Sequence, residues 1–495
     1  MRLTVIGTGY LGAVHAACMA EIGHDVVGVD VDVEKITALT EGRPPFYEPG
    51  LGDVLTRALA SGRLRFTTSL REAAVHGEVH FICVGTPQQA GSQAADLRYV
   101  DAVADGLAPH LPASCLVVGK STVPVGTTAR LAARLAGLTP AGVRAEVAWN
   151  PEFLREGFAV EDTLRPDRLV AGVTSREADE TLRRVYAPIL GAGVPYISTD
   201  PNTAELVKVA ANSFLATKIS FVNAMAEVCD AAGADVVTLA DALGHDSRIG
   251  RRFLNAGVGF GGGCLPKDIR AFTARAQELG VGPAVAFLDQ VDAINERQRD
   301  RTVALARRLL GGGAAGRRVT VLGATFKPNS DDVRDSPALA VAAALHRLGA
   351  EVRVHDPEGT ANARRAHPEL QHTADLLTAC RHAELVLHLT EWGEYREVDP
   401  VKLARVVREP VLLDGRNALA HDEWRAAGWT VKALGRPAPT DRLPDPLPDG
   451  PTGALSDRLS TGRDGEPLRS TIATPAGEPG RTAAAVPTAV PATRA

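Results

Sequence analysis

Short apolar runs alternate along this chain with longer segments in which apolar residues recur every three or four positions. RLTVIG (2–7) is the first run, YLGAVHAACMAEIG follows at helical spacing, and DVVGVD (25–30) is the next run. VHFICVG (79–85) and CLVVGKSTV (115–123) continue the series. Such alternation predicts parallel strands joined by crossover helices. From Thr203 to about Gly280 the pattern changes. NTAELVKVAANSFLATKISFVNAMAEVCDAAG keeps helical spacing for many turns, and another helical stretch runs from about Val281 to Leu310. Strand-like runs resume with RRVTVLGATFKP, AEVRVHDPEG, AELVLHLT and PVLLDGRNAL.

The pattern predicts an α/β protein with two doubly wound, Rossmann-like domains and a helical region between them. The expected boundaries are 1–200 for a nucleotide-binding domain, 201–310 for the helical region with its long helix, and 311–436 for the second α/β domain. The long helix suits a dimer core. Residues 437–495 hold 11 of the 32 prolines and no aromatic residue, which predicts a disordered tail.

Composition narrows the class. With 495 residues, 45% hydrophobic and 23% charged, the chain suits a soluble protein of two or three cores. A net charge of -5 argues against general nucleic-acid binding. No apolar run approaches the roughly 20 residues of a membrane span. The first predicted strand begins at Arg2, which leaves no room ahead of it for a signal peptide. The six cysteines, Cys18, Cys83, Cys115, Cys229, Cys264 and Cys380, form no CxxC pair, so reduced thiols in a cytoplasmic enzyme are predicted. The 13 histidines show no metal-ligand spacing, and no metal is predicted.

VIGTGYLG places Gly7, Gly9 and Gly12 in the GxGxxG spacing between a strand and a helix. Gly7 suits the tight turn, Gly9 the approach of a pyrophosphate, and Gly12 close helix packing; Tyr10 and Leu11 lie within the turn. Asp30 stands 18 residues beyond Gly12, at the end of the second strand. An acid there accepts ribose hydroxyls and favours NAD over NADP, although Lys35 lies close enough to complicate the preference. Thr86 and Pro87 in CVGTP, and Thr122 in GKSTVPVGTT, also end strands, where they either touch the cofactor or simply form turns. VLGATFK lacks the glycine spacing, so a second dinucleotide site is not expected in the second α/β domain.

FGGGCLPKD (260–268) sets Cys264 behind three glycines. Glycine lets backbone come close to a ligand, so this thiol is expected to meet a substrate.

The ordered motifs GTGYLG, YEPGL, GTPQ, STVPVGT, NPEFLREG, AELVKVAANSFLA, GFGGGCLPKD, FKPNSDDVRDSP, TEW and DGRNAL resemble the UDP-glucose/GDP-mannose dehydrogenase family from Met1 to about Gly435. The resemblance implies NAD-dependent, four-electron oxidation of a nucleotide sugar's C6 alcohol, UDP-glucose to UDP-glucuronate first, with GDP-mannose the close alternative. It implies that Cys264 carries the sugar as thiohemiacetal and then thioester, and that the glycines admit the C6 end beside it. A cation such as Lys208 or Lys267 would lower the thiol pKa. Lys208 and Asn212 would stabilise the C6 oxyanion, Asp268 would position water or take a proton, and Thr122 would hold the same water. Glu152 would be the hydrolytic base, and Glu156 would border the nicotinamide, with Lys267 and Arg334 also on the cofactor side. Substrate contacts are implied for Phe153, Leu154, Phe253, Leu254, Asn255, Gly259, Phe260, Gly261, Phe326, Lys327 and Arg416, and for Arg248 across a dimer interface. Gly263 stands where many relatives have serine. Two other classes share the glycine turn: a two-electron hydroxy-acid dehydrogenase with a structural Cys264, and a non-catalytic NAD-binding scaffold.

Overall fold

The computed structural model describes residues 1–437. The tail predicted at 437–495 lies, beyond its first residue, outside the described residues. Among the described residues, fourteen strands form two sheets. The first contains β1 (Arg2–Ile6), β2 (Asp25–Val29), β3 (Leu64–Thr67), β4 (Val79–Ile82), β5 (Cys115–Gly119), β6 (Ala145–Trp149), β7 (Leu169–Gly172) and β8 (Tyr196–Thr199). Its order is β3-β2-β1-β4-β5-β6-β7-β8. All neighbours are parallel except β6 and β7, which meet antiparallel through Trp149 and Gly172. β4 is buried at every position, as a central strand covered on both faces must be.

The second sheet contains β9 (Arg318–Leu322), β10 (Glu351–His355), β11 (Gln371–Thr373), β12 (Leu385–His388), β13 (Val411–Asp414) and β14 (Thr430–Ala433). Its order, β11-β10-β9-β12-β13-β14, repeats the first sheet's β3-β2-β1-β4-β5-β6 strand for strand. Each sheet therefore has a topological switch point, β1/β4 and β9/β12, where connections leave in opposite directions and open a crevice at the strands' carboxyl ends.

Between the sheets runs the helix Pro201–Ala232, 32 residues and about 48 Å long. Asp200 caps it by accepting from the Thr203 N–H, Pro201 occupies its first position, and Gly233 ends it with a φ of 72°. The helices Val236–Gly244, Leu265–Glu278 and Phe287–Leu309 surround it. Ala216, Phe260, Ile269, Leu288 and Val291 form one shared core there. The helical stretch expected from about Val281 is interrupted: a short turn, Gly282–Val285, precedes the helix that starts at Phe287. Among the described residues no helix is long and apolar enough to cross a membrane.

Candidate active site

The glycine turn closes the end of β1. Gly7 adopts a φ of 92°, and a Cβ there would lie 2.8 Å from Val84. A Cβ on Gly12 would lie 1.8 Å from the Gly7 carbonyl oxygen, so the helix Tyr10–Glu21 can approach β1 only with glycine there. Gly9, by contrast, would place a Cβ in open space and is the helix N-cap with no side-chain cap bond. Asp30 Oδ2 accepts from the Thr8 N–H at 2.9 Å and from Lys35 Nζ at 3.0 Å. Burial raises the Asp30 carboxyl, but Lys35 and the N–H groups of Asp32 and Thr8 outweigh it, and the group lies below its ordinary value. A turn open at Gly9, backed by a helix N-terminus and flanked by an ionised acid, fits a dinucleotide. Lys35, expected to complicate the preference for NAD, is thus bonded to Asp30 itself.

The second sheet departs here for a physical reason. Asp356 ends β10 as Asp30 ends β2, and the Ala324 and Thr325 N–H groups donate to its Oδ2 at 2.7 and 3.0 Å. Trp392 Nε1 also donates to that oxygen, at 3.2 Å, and Asp356 is buried. Gly323, at a φ of 109°, has Thr390 where a Cβ would go. A tryptophan thus covers the acid that would have to meet a ribose.

The chemistry-bearing residues converge on the helix Pro201–Ala232. Lys208 and Asn212, one turn apart, are both buried. Lys208 Nζ lies 2.9 Å from Glu152 Oε1, and Asn212 Nδ2 donates to Asp268 Oδ2 at 2.6 Å. Lys267 Nζ holds the other oxygen of Asp268 at 2.6 Å. Burial works against the Lys208 ammonium, but Glu152, Cys264 and Asp268 together raise its pKa. Cys264, at the N-cap of the helix Leu265–Glu278, keeps solvent access within a crowded cleft. Burial pushes its thiol up to about 12, Asp268 and Glu152 push the same way, and Lys208 opposes them. The expected lowering is therefore reversed: burial first, and then the carboxylates around the sulfur, outweigh its lysine neighbour. Thr86 Oγ1 donates to the Thr122 carbonyl at 2.7 Å, which ties the ends of β4 and β5 together, while Pro87 is exposed.

The glycines before Cys264 accommodate protein. Cβ atoms at Gly259, Gly261, Gly262 and Gly263 would meet Asn295 at 2.4 Å, the Asp335 carbonyl at 2.2 Å, the Phe326 ring at 2.8 Å and the Arg334 guanidinium at 2.4 Å. The cysteine loop thus lies against the loop that follows β9, and a serine at 263 would need Arg334 to shift. Arg334 pairs with Asp332 at 2.7 Å and lies 3.6 Å from Glu156. Burial and the neighbouring Asp332 push the Glu156 carboxyl up to about 7. Arg416 bridges the Leu389, Gly259 and Phe326 carbonyls at 2.7, 3.1 and 3.1 Å and pairs with Glu391 at 3.1 Å. It is a strut between loops as well as a cation. Lys327 lies near Glu156 and Cys264 electrostatically, although burial lowers its pKa.

Other predicted residues are less concentrated. Phe153 lies 3.8 Å beneath the Arg168 guanidinium, and Leu154 packs into the first sheet's core. Phe260 is fixed by Asn295 through both its N–H and its carbonyl. Leu254 is buried; Asn255 accepts from Arg251, and Phe253 is exposed at a φ of 66°. Arg248 is exposed and, among the described residues, pairs with Asp246.

Reading the sequence missed three supports. Lys120 is buried and donates to Asn150 Oδ1 at 2.9 Å, and Tyr186 donates to the same oxygen at 2.5 Å. Glu205, one turn before Lys208, accepts from Gly126 N, Thr128 N and Thr128 Oγ1, which fastens the long helix beneath STVPVGT. Glu48 accepts from Gly157 and Ala159. Each lies inside a motif quoted above or beside a named residue, but a charged side chain in a sequence does not declare that it is buried.

The chain is similar to known proteins along most of its length. Family models for the UDP-glucose/GDP-mannose dehydrogenase family match its NAD binding domain at residues 1–190, its central domain at 202–297 and its UDP binding domain at 320–421. The UDP-glucose 6-dehydrogenase of Rhizobium meliloti (strain 1021) is 43% identical over 442 residues, covering 88% of this chain and 100% of the relative. The UDP-glucose 6-dehydrogenase TuaD of Bacillus subtilis (strain 168) is 40% identical, with coverage of 90% and 97%. A solved UDP-glucose dehydrogenase from Pyrobaculum islandicum superposes with a TM-score of 0.80 at 41% identity, covering 87% of this chain and 98% of that one. With all three domains matched in order and relatives of this similarity along nearly their whole length, the chain belongs to the UDP-glucose/GDP-mannose dehydrogenase family.

Proposed function

We propose that this chain oxidises UDP-glucose to UDP-glucuronate, with two NAD⁺ consumed and Cys264 as the covalent carrier. The observation that carries the reading is the pairing of Lys208 with Glu152, and of Asn212 with Asp268, around one solvent-reachable thiol. NAD⁺, held along the Gly7–Gly12 turn beside Asp30, supplies the hydride acceptor for both oxidations. Lys208, kept charged by its carboxylate neighbours, stabilises the C6 oxyanion in each step. Asp268 takes the C6 hydroxyl proton, with Asn212 holding its other oxygen. The Cys264 sulfur then bonds to the C6 aldehyde carbon as the C=O π bond opens and the thiol proton ends on its oxygen, which keeps a reactive aldehyde in the site as a thiohemiacetal. Oxidation of that adduct gives a thioester. Glu152 removes a proton from the attacking water, which Thr122 helps hold; the C–S bond breaks and the thiol is restored.

The nucleotide sugar lies against residues 253–261, Phe153, Leu154, Phe326, Lys327 and Arg416, whose cations answer the diphosphate. The relatives at about 40% identity are named for UDP-glucose, whereas the solved UDP-D-ManNAc dehydrogenase from Pyrococcus horikoshii is 27% identical. That difference favours glucose as the sugar. A homodimer forms along the long helix and brings Arg248 of one subunit to the other's sugar site. Six scattered cysteines with no CxxC pair support a cytoplasmic location. The deciding experiment is NADH stoichiometry with product identification. Two NADH and UDP-glucuronate per UDP-glucose are expected; one NADH with free aldehyde, or turnover of GDP-mannose alone, overturns the assignment.

A further inference from the structure

The motif YEPGL has no place in the chemistry above, yet its glutamate is among the most enclosed carboxylates of the first domain. Glu48 is 6% exposed. Its Oε2 accepts from the Gly157 N–H at 2.6 Å and from the Tyr10 hydroxyl, and its Oε1 accepts from the Ala159 N–H at 2.7 Å. Gly157 N also donates to the Tyr10 hydroxyl oxygen at 2.9 Å. Tyr10 is the first residue of the helix that opens at the glycine turn, and Gly157 directly follows Glu156 in NPEFLREG. One buried side chain therefore joins the dinucleotide helix to the loop that carries Glu152 and Glu156.

Its neighbours extend the joint. The Phe46 ring packs on Tyr10 with centroids 4.8 Å apart. Tyr47 packs against the second sheet's cluster that includes Trp392 and Tyr395, and its backbone N–H bonds to Asp331. Gly157, at a φ of 80°, has the Asn329 carbonyl 2.7 Å from where a Cβ would stand, and Ser330 donates to Glu156 at 3.2 Å. The carboxylate loop is thus gripped between the 46–48 stretch and the loop after β9.

We propose that Glu48 is a positioning residue, whose carboxylate holds the Glu152–Glu156 loop in register with the first turn of the dinucleotide helix. Cofactor affinity and thioester hydrolysis then depend on one anchor. A carboxylate is needed because the groups it meets are all donors. Glutamine offers one acceptor oxygen and an NH₂ group, so it cannot accept at both positions: either the Ala159 N–H loses its acceptor, or the Gly157 N–H is left with the Tyr10 hydroxyl alone. A buried N–H left unpaired shifts or destabilises its loop. The proposal rests on the function proposed above for its hydrolytic half, but not for its cofactor half.

The test compares wild type with Glu48→Gln and Tyr10→Phe, the latter removing one donor while its ring stays on Phe46. Calorimetry of each apoenzyme with NAD⁺ is expected to show about fivefold weaker binding in Glu48→Gln and a smaller loss in Tyr10→Phe. Rapid mixing with UDP-glucose at saturating NAD⁺ is expected to keep the NADH burst and slow steady turnover about tenfold, with KM for UDP-glucose within twofold. A mass increase is then expected on the Cys264 peptide. Unchanged NAD⁺ affinity and turnover in both folded variants overturn the proposal. So does proportional loss of burst and turnover without adduct, which marks a purely structural role. If Glu48→Gln does not fold, Tyr10→Phe decides by the same readouts. If wild type makes no NADH from UDP-glucose, the functional assignment fails, and the NAD⁺ affinities still decide the anchor.

Discussion

Lys208 Nζ and Glu152 Oε1 stand 2.9 Å apart, with their side chains only 6% and 13% exposed. The lysine comes from the long helix, and the glutamate from the loop after β6. A charge pair this enclosed gains little net stability, because desolvating both ions offsets most of their attraction; removing either partner alone is what costs. The pair has a chemical consequence instead. The ammonium that favours a thiolate at Cys264 is shared with a carboxylate, and burial, Asp268 and Glu152 together outweigh it and raise the thiol.

That balance predicts how the thiol reacts. Asp268→Asn removes a negative charge that raises the Cys264 pKa, and the thiolate fraction at a given pH must rise. Alkylation of Cys264 by iodoacetamide at pH 8 is expected to be roughly fivefold faster in Asp268→Asn, since each pKa unit is about tenfold in thiolate. In the wild type the rate should keep climbing well above pH 9. Peptide mass mapping checks this, because Cys18, Cys83, Cys229 and Cys380 are buried. A wild-type plateau below pH 9 would contradict the charge balance.

Asp30 supports a second expectation. Replacing it by alanine removes the acid beside the turn and leaves Lys35 without its 3.0 Å partner. NAD⁺ affinity should fall about tenfold, the order of one charge-assisted hydrogen bond. UDP-glucose affinity should hold within twofold, because its expected contacts lie on other segments. Titration calorimetry with each ligand separately measures both; equal losses would contradict the division.

The long helix exposes Leu206, Phe214, Phe221 and Val228, the last three spaced by seven residues. Such a stripe is the kind of face that a partner helix covers. Sedimentation should show a dimer for the wild type and a monomer for Phe214→Glu/Phe221→Glu. If Arg248 acts across that interface, the monomer's KM for UDP-glucose should rise severalfold. A double variant that stays dimeric would move the interface elsewhere.

Legibility followed burial. Central strands such as β1, β4, β5, β9 and β12 read clearly because two covered faces demand continuous apolar runs. The edge strands β3, β8, β11 and β14 did not, since nearly all their positions are exposed or only half-buried and their sequences, LRFT, YIST, QHT and TVKA, resemble loops. Around the thiol, spacing alone says only that Asn212 follows Lys208 by one helical turn and that Asp268 stands four positions after Cys264; it was the family resemblance that gathered the three. Long-range partners were not readable. Nothing local announces that Gly263 faces Arg334, or that Glu48 grips Gly157 from 109 residues away.

The last prediction concerns release of the covalent intermediate. Glu152 holds two bonds, one to Lys208 and one, at 2.5 Å, from the Leu154 N–H. Glu152→Gln can keep the shape and the second bond but cannot take a proton from water. It also frees Lys208 to act on the oxyanion and the thiol alone. The hydride steps should therefore survive while hydrolysis slows, by about 10² to 10⁴-fold for the loss of general-base help. Mixed with UDP-glucose and NAD⁺, Glu152→Gln should give an NADH burst and then stall, with added mass on the Cys264 peptide. Cys264→Ala should form no acid and no adduct, because nothing remains to hold the aldehyde for its second oxidation. Asp268→Asn should fail earlier, without a burst, if it takes the first proton. An adduct in Asp268→Asn but none in Glu152→Gln would exchange the two roles and make Asp268, held by Asn212 and Lys267, the base for hydrolysis.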